Sequence, residues 1–117
     1  MLIMSFDNYD VVEWLDNRIK EKAEEEGENI DVVVRRLTKK AGERGMNNWV
    51  RILNKYIVNK KRIAQRKYTK KHDRPLFSPR SGHCYFCGNQ IYNRISLEKA
   101  GNELIIHCPY CKGCYCD

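Results

Sequence analysis

Apolar positions recur at helical spacing through the first two-thirds of the chain. Val12, Leu15, Ile19 and Ala23 follow one stripe, widened by Val11 and Trp14, and predict a helix over residues 7–26. Asp7 or Asn8 suits its N-cap, Asp10 and Glu13 suit its positive end, and Gly27 suits its termination. Glu24, Glu25 and Glu26 oppose the dipole at the other end, which predicts a frayed last turn. Ile30, Val33, Val34, Leu37 and Ala41 fall at i, i+3, i+4, i+7 and i+11 and predict a second helix from residue 30 to Ala41, with Asn29 as its cap. A third and longest helix is expected from Asn47 to Tyr68. Its buried face is read from Trp49, Ile52, Leu53, Tyr56 and Ile57. Lys60 and Lys67 project along that same stripe, so the helix is expected to leave the core near Asn59 and continue as a solvated or partner-bound arm.

Pro75, Pro79 and Gly82 forbid a continuing helix and mark residues 75–81 as a linker, with Leu76 and Phe77 apolar enough to pin it. Beyond it the pattern changes. Gln90–Ser96 and Glu103–His107 are isoleucine-rich and read as two strands joined by a turn at Ala100-Gly101-Asn102. The expected class is therefore α+β: a three-helix bundle in residues 1–74, then a small module built on a β-hairpin in residues 82–117.

The chemistry lies in that last module. Cys84 and Cys87 are paired by two intervening residues, as are Cys108 and Cys111, with 20 residues between the pairs. This is the spacing of a four-thiolate zinc site: each tight turn points two sulfurs at one ion, and the spacer lets the second turn come back. The flanks also echo one another, His83-Cys84-Tyr85-Phe86-Cys87-Gly88 against His107-Cys108-Pro109-Tyr110-Cys111-Lys112-Gly113, and each pair has a glycine after it to supply positive φ. Residues 82–117 resemble the zinc-ribbon family, and the resemblance implies two zinc knuckles facing each other across a β-hairpin, with Zn2+ as cofactor. Two other readings of the cysteines stand beside it, a disulfide framework and an iron–sulfur cluster. Met1-Leu2-Ile3-Met4 meets polar Ser5 and Asp7 at once, without the apolar core of an export signal, so a reduced cytoplasmic (or nuclear) setting is expected and disulfides are disfavoured. The run ending at Cys114 and Cys116 lacks the C-x3-C-P ending of bacterial ferredoxins. Cys114 and Cys116 exceed what one tetrahedral site needs, and are open to substituting for a ligand, holding a second metal with His83 or His107, or standing free. The two histidines are expected to tune or shield the site.

Charge adds a second theme. The chain carries 22 basic and 15 acidic residues, net +7. Residues 1–30 hold three basic and nine acidic side chains, net −6, whereas residues 31–80 hold 16 and three, net +13. The acidic front is open to serving a basic partner or folding across the basic middle. Arg51, Lys55, Arg62 and Arg66 share an arc of about 60° on the third helix, opposite its buried stripe, and Lys70 and Lys71 extend the basic run. Such density is an electrostatic footprint for nucleic acid. Tyr85 and Tyr110 lie one in each knuckle, where a ring can stack on a base or a partner side chain, or cover the sulfurs. Around Ala41 and Gly45 the second and third helices also resemble a helix–turn–helix unit. Arg51 stands where that pattern buries an aliphatic residue, and Val50 and Leu53 are each one place off, so a plain αα-hairpin fits as well.

No catalytic constellation is present: no phosphate-binding glycine loop, serine nucleophile motif or H-E-x-x-H. Two functions remain. One is a small zinc-containing nucleic-acid-binding regulator of the transcription type. The other is a protein-binding adaptor or inhibitor that docks on a larger machine such as a polymerase. No membrane association is expected.

Overall fold

A computed structural model describes the backbone of residues 9–115 and the side chains of residues 13–115. The expected caps Asp7 and Asn8, the side chains of Val11 and Val12, and Cys116 lie outside the described residues. The helices are α1 (Tyr9–Glu26), α2 (Ile30–Glu43), α3 (Asn47–Lys71) and a short α4 (Leu97–Asn102), with one turn of 3-10 helix at Ile91–Asn93. None is long and apolar enough to cross a membrane. The chain divides into two compact units, residues 1–57 and 58–117, and the division falls inside α3.

The first unit follows the predicted stripes. Leu15, Ile19 and Ala23 of α1, Val33 and Val34 of α2, and Leu53 and Tyr56 of α3 form its buried core, with Ile30, Leu37, Trp49, Ile52 and Ile57 packed against it. Gly27 ends α1 at φ +64, and the Glu28 amide reaches back to the Ala23 carbonyl at 3.0 Å. The last turn of α1, expected to fray, is held from α2. Arg36 donates to Glu26 at 2.6 Å and pairs with Glu28 as well. Asn29 occupies the α2 cap position but makes no side-chain cap bond, and α2 runs past Ala41 to Glu43. Gly45, at φ +71, turns the chain into α3.

The second unit departs from expectation in two ways. First, α3 does not leave the core as an arm. Its second half buries a stripe out of register with the first, made of Lys61, Gln65 and Thr69, with Val58 and Ala64 also packed on the second core. Hydrophobic periodicity cannot see this stripe because its members are polar. Each is satisfied instead by a hydrogen bond. The Lys61 ammonium donates to the Tyr92 carbonyl at 2.7 Å, and Thr69 donates to the Arg66 carbonyl at 2.9 Å. Gln65, fully buried, donates to the carbonyls of Ala100 and Glu103 at 2.7 and 2.8 Å and accepts from the Ile105 amide at 2.9 Å.

Second, the α+β class and the β-hairpin are not found: no strand or sheet occurs among the described residues, only the isolated bridges His83–Gln90 and His107–Cys114. The expected strand at residues 90–96 is a 3-10 turn capped by Gln90, whose side chain accepts from the Tyr92 amide. The expected hairpin turn at residues 100–102 lies inside α4, capped by the Ser96 hydroxyl, which accepts from the Lys99 amide at 3.0 Å. Residues 103–107 form no strand: His107 makes an isolated bridge to Cys114, and the Ile106 carbonyl accepts from the Tyr115 amide at 2.7 Å. The Ile105 amide is met by Gln65, which stands where a neighbouring strand would stand. Ile91, Tyr92, Ile95, Ala100 and Ile105, together with Cys84 and Cys108, form the second buried core.

Candidate metal centre

Two turns of the same construction bring the four predicted cysteines together. In the first, the Cys84 amide donates to the Asn89 carbonyl at 2.9 Å and the Gly88 amide to the Cys84 carbonyl at 3.0 Å. In the second, the Cys108 amide donates to Gly113 at 2.9 Å and the Lys112 amide to Cys108 at 3.0 Å. The bridges at His83 and His107 stand in the same relation to the two turns. Positive φ falls at the matching places, Gly88 at +76 and Lys112 at +66. The second turn therefore places a lysine in the left-handed region, and Gly113 serves another need. A Cβ on Gly113 would stand 2.5 Å from the Phe86 ring.

The sulfurs of Cys84, Cys87, Cys108 and Cys111 all lie within 4.8 Å of one another. The Cys84–Cys111 and Cys87–Cys108 pairs are each 3.7 Å apart. Disulfide sulfurs stand about 2.05 Å apart, so these four are thiols. Four sulfurs each ~2.3 Å from one ion occupy the corners of a tetrahedron with edges of about 3.8 Å. The observed pairs match that edge. An iron–sulfur cluster interposes its own iron and sulfide atoms and needs a wider cage.

Backbone amides converge on the sulfurs. Phe86 N–H reaches Cys84 Sγ at 3.3 Å, and Tyr110 and Cys111 N–H reach Cys108 Sγ at 3.3 and 3.4 Å. Asn89 adds a side-chain donor to Cys87 at 3.5 Å. These donors favour thiolate, the form a metal binds. Burial opposes ionisation of Cys84, but the Tyr115 hydroxyl and the amides of Cys87 and Phe86 outweigh it and bring the thiol down to about 6. Cys108 moves in the same direction, its burial outweighed by the amides of Cys111 and Tyr110. Cys111 moves up to about 11: the Gly113 amide favours its thiolate, but burial and the neighbouring thiols Cys108, Cys84 and Cys87 prevail. Four thiols this close cannot all ionise without a cation among them, and that frustration is a property of a metal-binding set.

One thiol of each pair is inside and one outside: Cys84 and Cys108 are buried, Cys87 and Cys111 exposed. The core thus anchors each turn by its first cysteine. Cys114 lies outside the group of four. His83 and His107 are exposed and belong to no such group among the described residues. The His83 ring lies 3.4 Å from the Gly88 carbonyl.

Sequence reasoning missed Tyr115. Its ring stacks on Phe86 at 6.1 Å and meets Tyr85 edge-on at 5.9 Å. Burial first, and then the adjacent thiols Cys84 and Cys108, raise the pKa of its hydroxyl. Tyr85 and Phe86 are strongly exposed, whereas Tyr110, which stands in the second turn where Phe86 stands in the first, is half-buried under the Arg94 guanidinium, 4.3 Å from its ring centre. The predicted cationic residues also differ among themselves. Arg51, Lys55, Arg66, Lys70 and Lys71 are exposed. Arg62 is half-buried and bound to the Arg80 carbonyl at 2.6 Å and to Asn59 at 3.0 Å. The chain matches no family model, no curated protein and no solved structure.

Proposed function

We propose that the protein is a zinc-stabilised nucleic-acid-binding protein, its metal structural and its contact with nucleic acid made by the far end of α3. Zinc is favoured over other ions because four thiolates at tetrahedral spacing form a closed, soft-donor site, which holds an ion without leaving it a position for substrate. The ion replaces the larger core that a unit of this size cannot build.

The observation that carries the nucleic-acid reading is the exposure of Arg66, Lys67, Lys70 and Lys71. At about 100° per residue, these four centre on the side of α3 opposite Lys61, Gln65 and Thr69. Burial of that polar stripe presents the four cations to solvent. The strongly exposed Tyr85 and Phe86 supply rings on which bases can stack.

The test is a binding titration with duplex DNA, single-stranded DNA and RNA over a salt series. Affinity is expected to fall steeply with salt, and Gln at positions 66, 67, 70 and 71 together should flatten the slope by about 0.7–0.9 per lost phosphate contact. The helical signal and metal content should remain. A quadruple variant that binds all three nucleic acids as the parent does would sink the reading.

A further inference from the structure

The first unit carries a groove that its own core does not fill. It has a volume of about 460 Å³, floored by Leu15, Ile19, Leu37, Ala41 and Leu53 and edged by Trp14, Met46 and Trp49. Trp14 is 55% and Met46 43% exposed, so large apolar surface meets solvent along its edge. On α1 the lining runs from Trp14 to Glu25, three turns and about 16 Å of helix. With Trp14 and Met46 exposed on its edge, the groove is open to solvent along its length, and it can accept a row of side chains from something lying along it.

Charge settles the character of the occupant. Lys40 of α2 and Arg44 just beyond its end stand on one wall with no acid, and the α1 wall contributes Arg18 and Lys22 together with Glu21 and Glu25. Arg18 extends across the Trp14 ring, 6.0 Å from its centre, which keeps a cation at the lip of the apolar surface. We infer that this groove is a docking site for an amphipathic helix of a protein partner, about three turns long. That helix places an apolar row against Leu15, Leu37 and Leu53 and an acidic flank against Lys40 and Arg44. It is the helix-in-groove mode of recognition, read as i, i+4, i+7 anchors on the partner. The charge of the rim contributes specificity and rate of encounter more than raw affinity.

The chain itself supplies the probe. It has two tryptophans, Trp14 and Trp49, and both line the groove. Intrinsic fluorescence therefore reads occupancy directly. The ligands are three synthetic helical peptides of about 16 residues: leucines at i, i+4, i+7 and i+11 flanked by glutamates, the same leucines flanked by lysines, and the glutamate peptide with its leucines replaced by serine. The glutamate–leucine peptide is expected to saturate a change in tryptophan emission. The lysine peptide should bind about tenfold more weakly and the serine peptide not measurably. Lys40→Glu with Arg44→Glu should reverse the preference between the two leucine peptides, and Met46→Asp should weaken both. All three positions are exposed, and far-UV circular dichroism confirms that each variant is folded. Equal binding of the acidic and basic peptides overturns the charge assignment. No change in emission with any peptide overturns the site. An emission shift that depends on protein concentration without peptide overturns the partner helix in favour of a second copy of the chain.

Discussion

Tyr56 shows how a single side chain carries both packing and polarity. It is buried in the first core, yet its hydroxyl donates to the Asp16 carboxylate at 2.5 Å, and Asp16 also pairs with Lys20 at 3.0 Å. Burial first, and then the bond to Asp16, raise the Tyr56 pKa above its ordinary value. A phenol whose folded pKa is raised contributes stability in full below the unfolded value of about 10, and that contribution is lost as pH rises above it. Tyr56→Phe is expected to lower the stability of the first unit by about 1.5–3 kcal/mol at neutral pH, the range for a hydrogen bond to a charged group. The difference between parent and variant should narrow as pH rises past about 10. Urea unfolding followed by tryptophan emission measures this, because both tryptophans lie in that unit. A difference that stays constant to high pH would show that the hydroxyl is not held as described.

At the scale of elements, the sequence is legible where apolar residues repeat and silent where polar residues do the same work. Helices α1 and α2 and the first half of α3 follow from Leu15, Ile19, Val33, Val34 and Leu53. The second half of α3 does not, since Lys61, Gln65 and Thr69 give no hydrophobic signal. The misfit of Lys60 and Lys67 falls where α3 passes from one buried stripe to another, not where it exits to solvent. The strands failed for a related reason. Isoleucine favours strands through its branched Cβ, but that preference yields to packing. Ile91, Tyr92 and Ile95 are buried at i, i+1 and i+4, a turn-like spacing. Ser96 followed by Leu97-Glu98-Lys99 already held the signature of a capped helix. Gln65 ties these elements together, so Gln65→Leu is expected to leave one amide and two carbonyls unpaired in the second core. The cost is about 1–3 kcal/mol for each group that water cannot reach. Thermal unfolding of the second unit, followed by release of bound metal to a colorimetric chelator, should shift to lower temperature, while tryptophan emission of the first unit holds. An unchanged melting temperature would contradict the role given to Gln65.

At the scale of the whole molecule, the division inside α3 changes what metal loss should do. Had the cysteine module stood apart after a linker, removing its ion would leave the helical signal untouched. Instead α3 beyond Ile57 belongs to the same compact unit as the four cysteines, as does α4. The core that holds them includes Cys84 and Cys108 themselves. A metal site of this kind forms with the fold around it, so the free energy of binding is folding free energy for that unit. Chelation under reducing conditions, or Cys108→Ser, is therefore expected to remove up to about a third of the helical ellipticity. The loss should come from the second half of α3 and from α4. Tryptophan emission and the binding of an acidic amphipathic peptide should persist, since Trp14, Trp49 and the groove lie wholly in the first unit. Nucleic-acid affinity should fall with the metal, because Arg66, Lys67, Lys70 and Lys71 share one face only while that part of α3 is helical. Re-addition of zinc in stoichiometric amount should restore ellipticity and nucleic-acid binding together. Full retention of ellipticity without metal would mean that Gln65 and the isoleucine core suffice alone. Simultaneous loss of the tryptophan signal would mean that the two units fold as one.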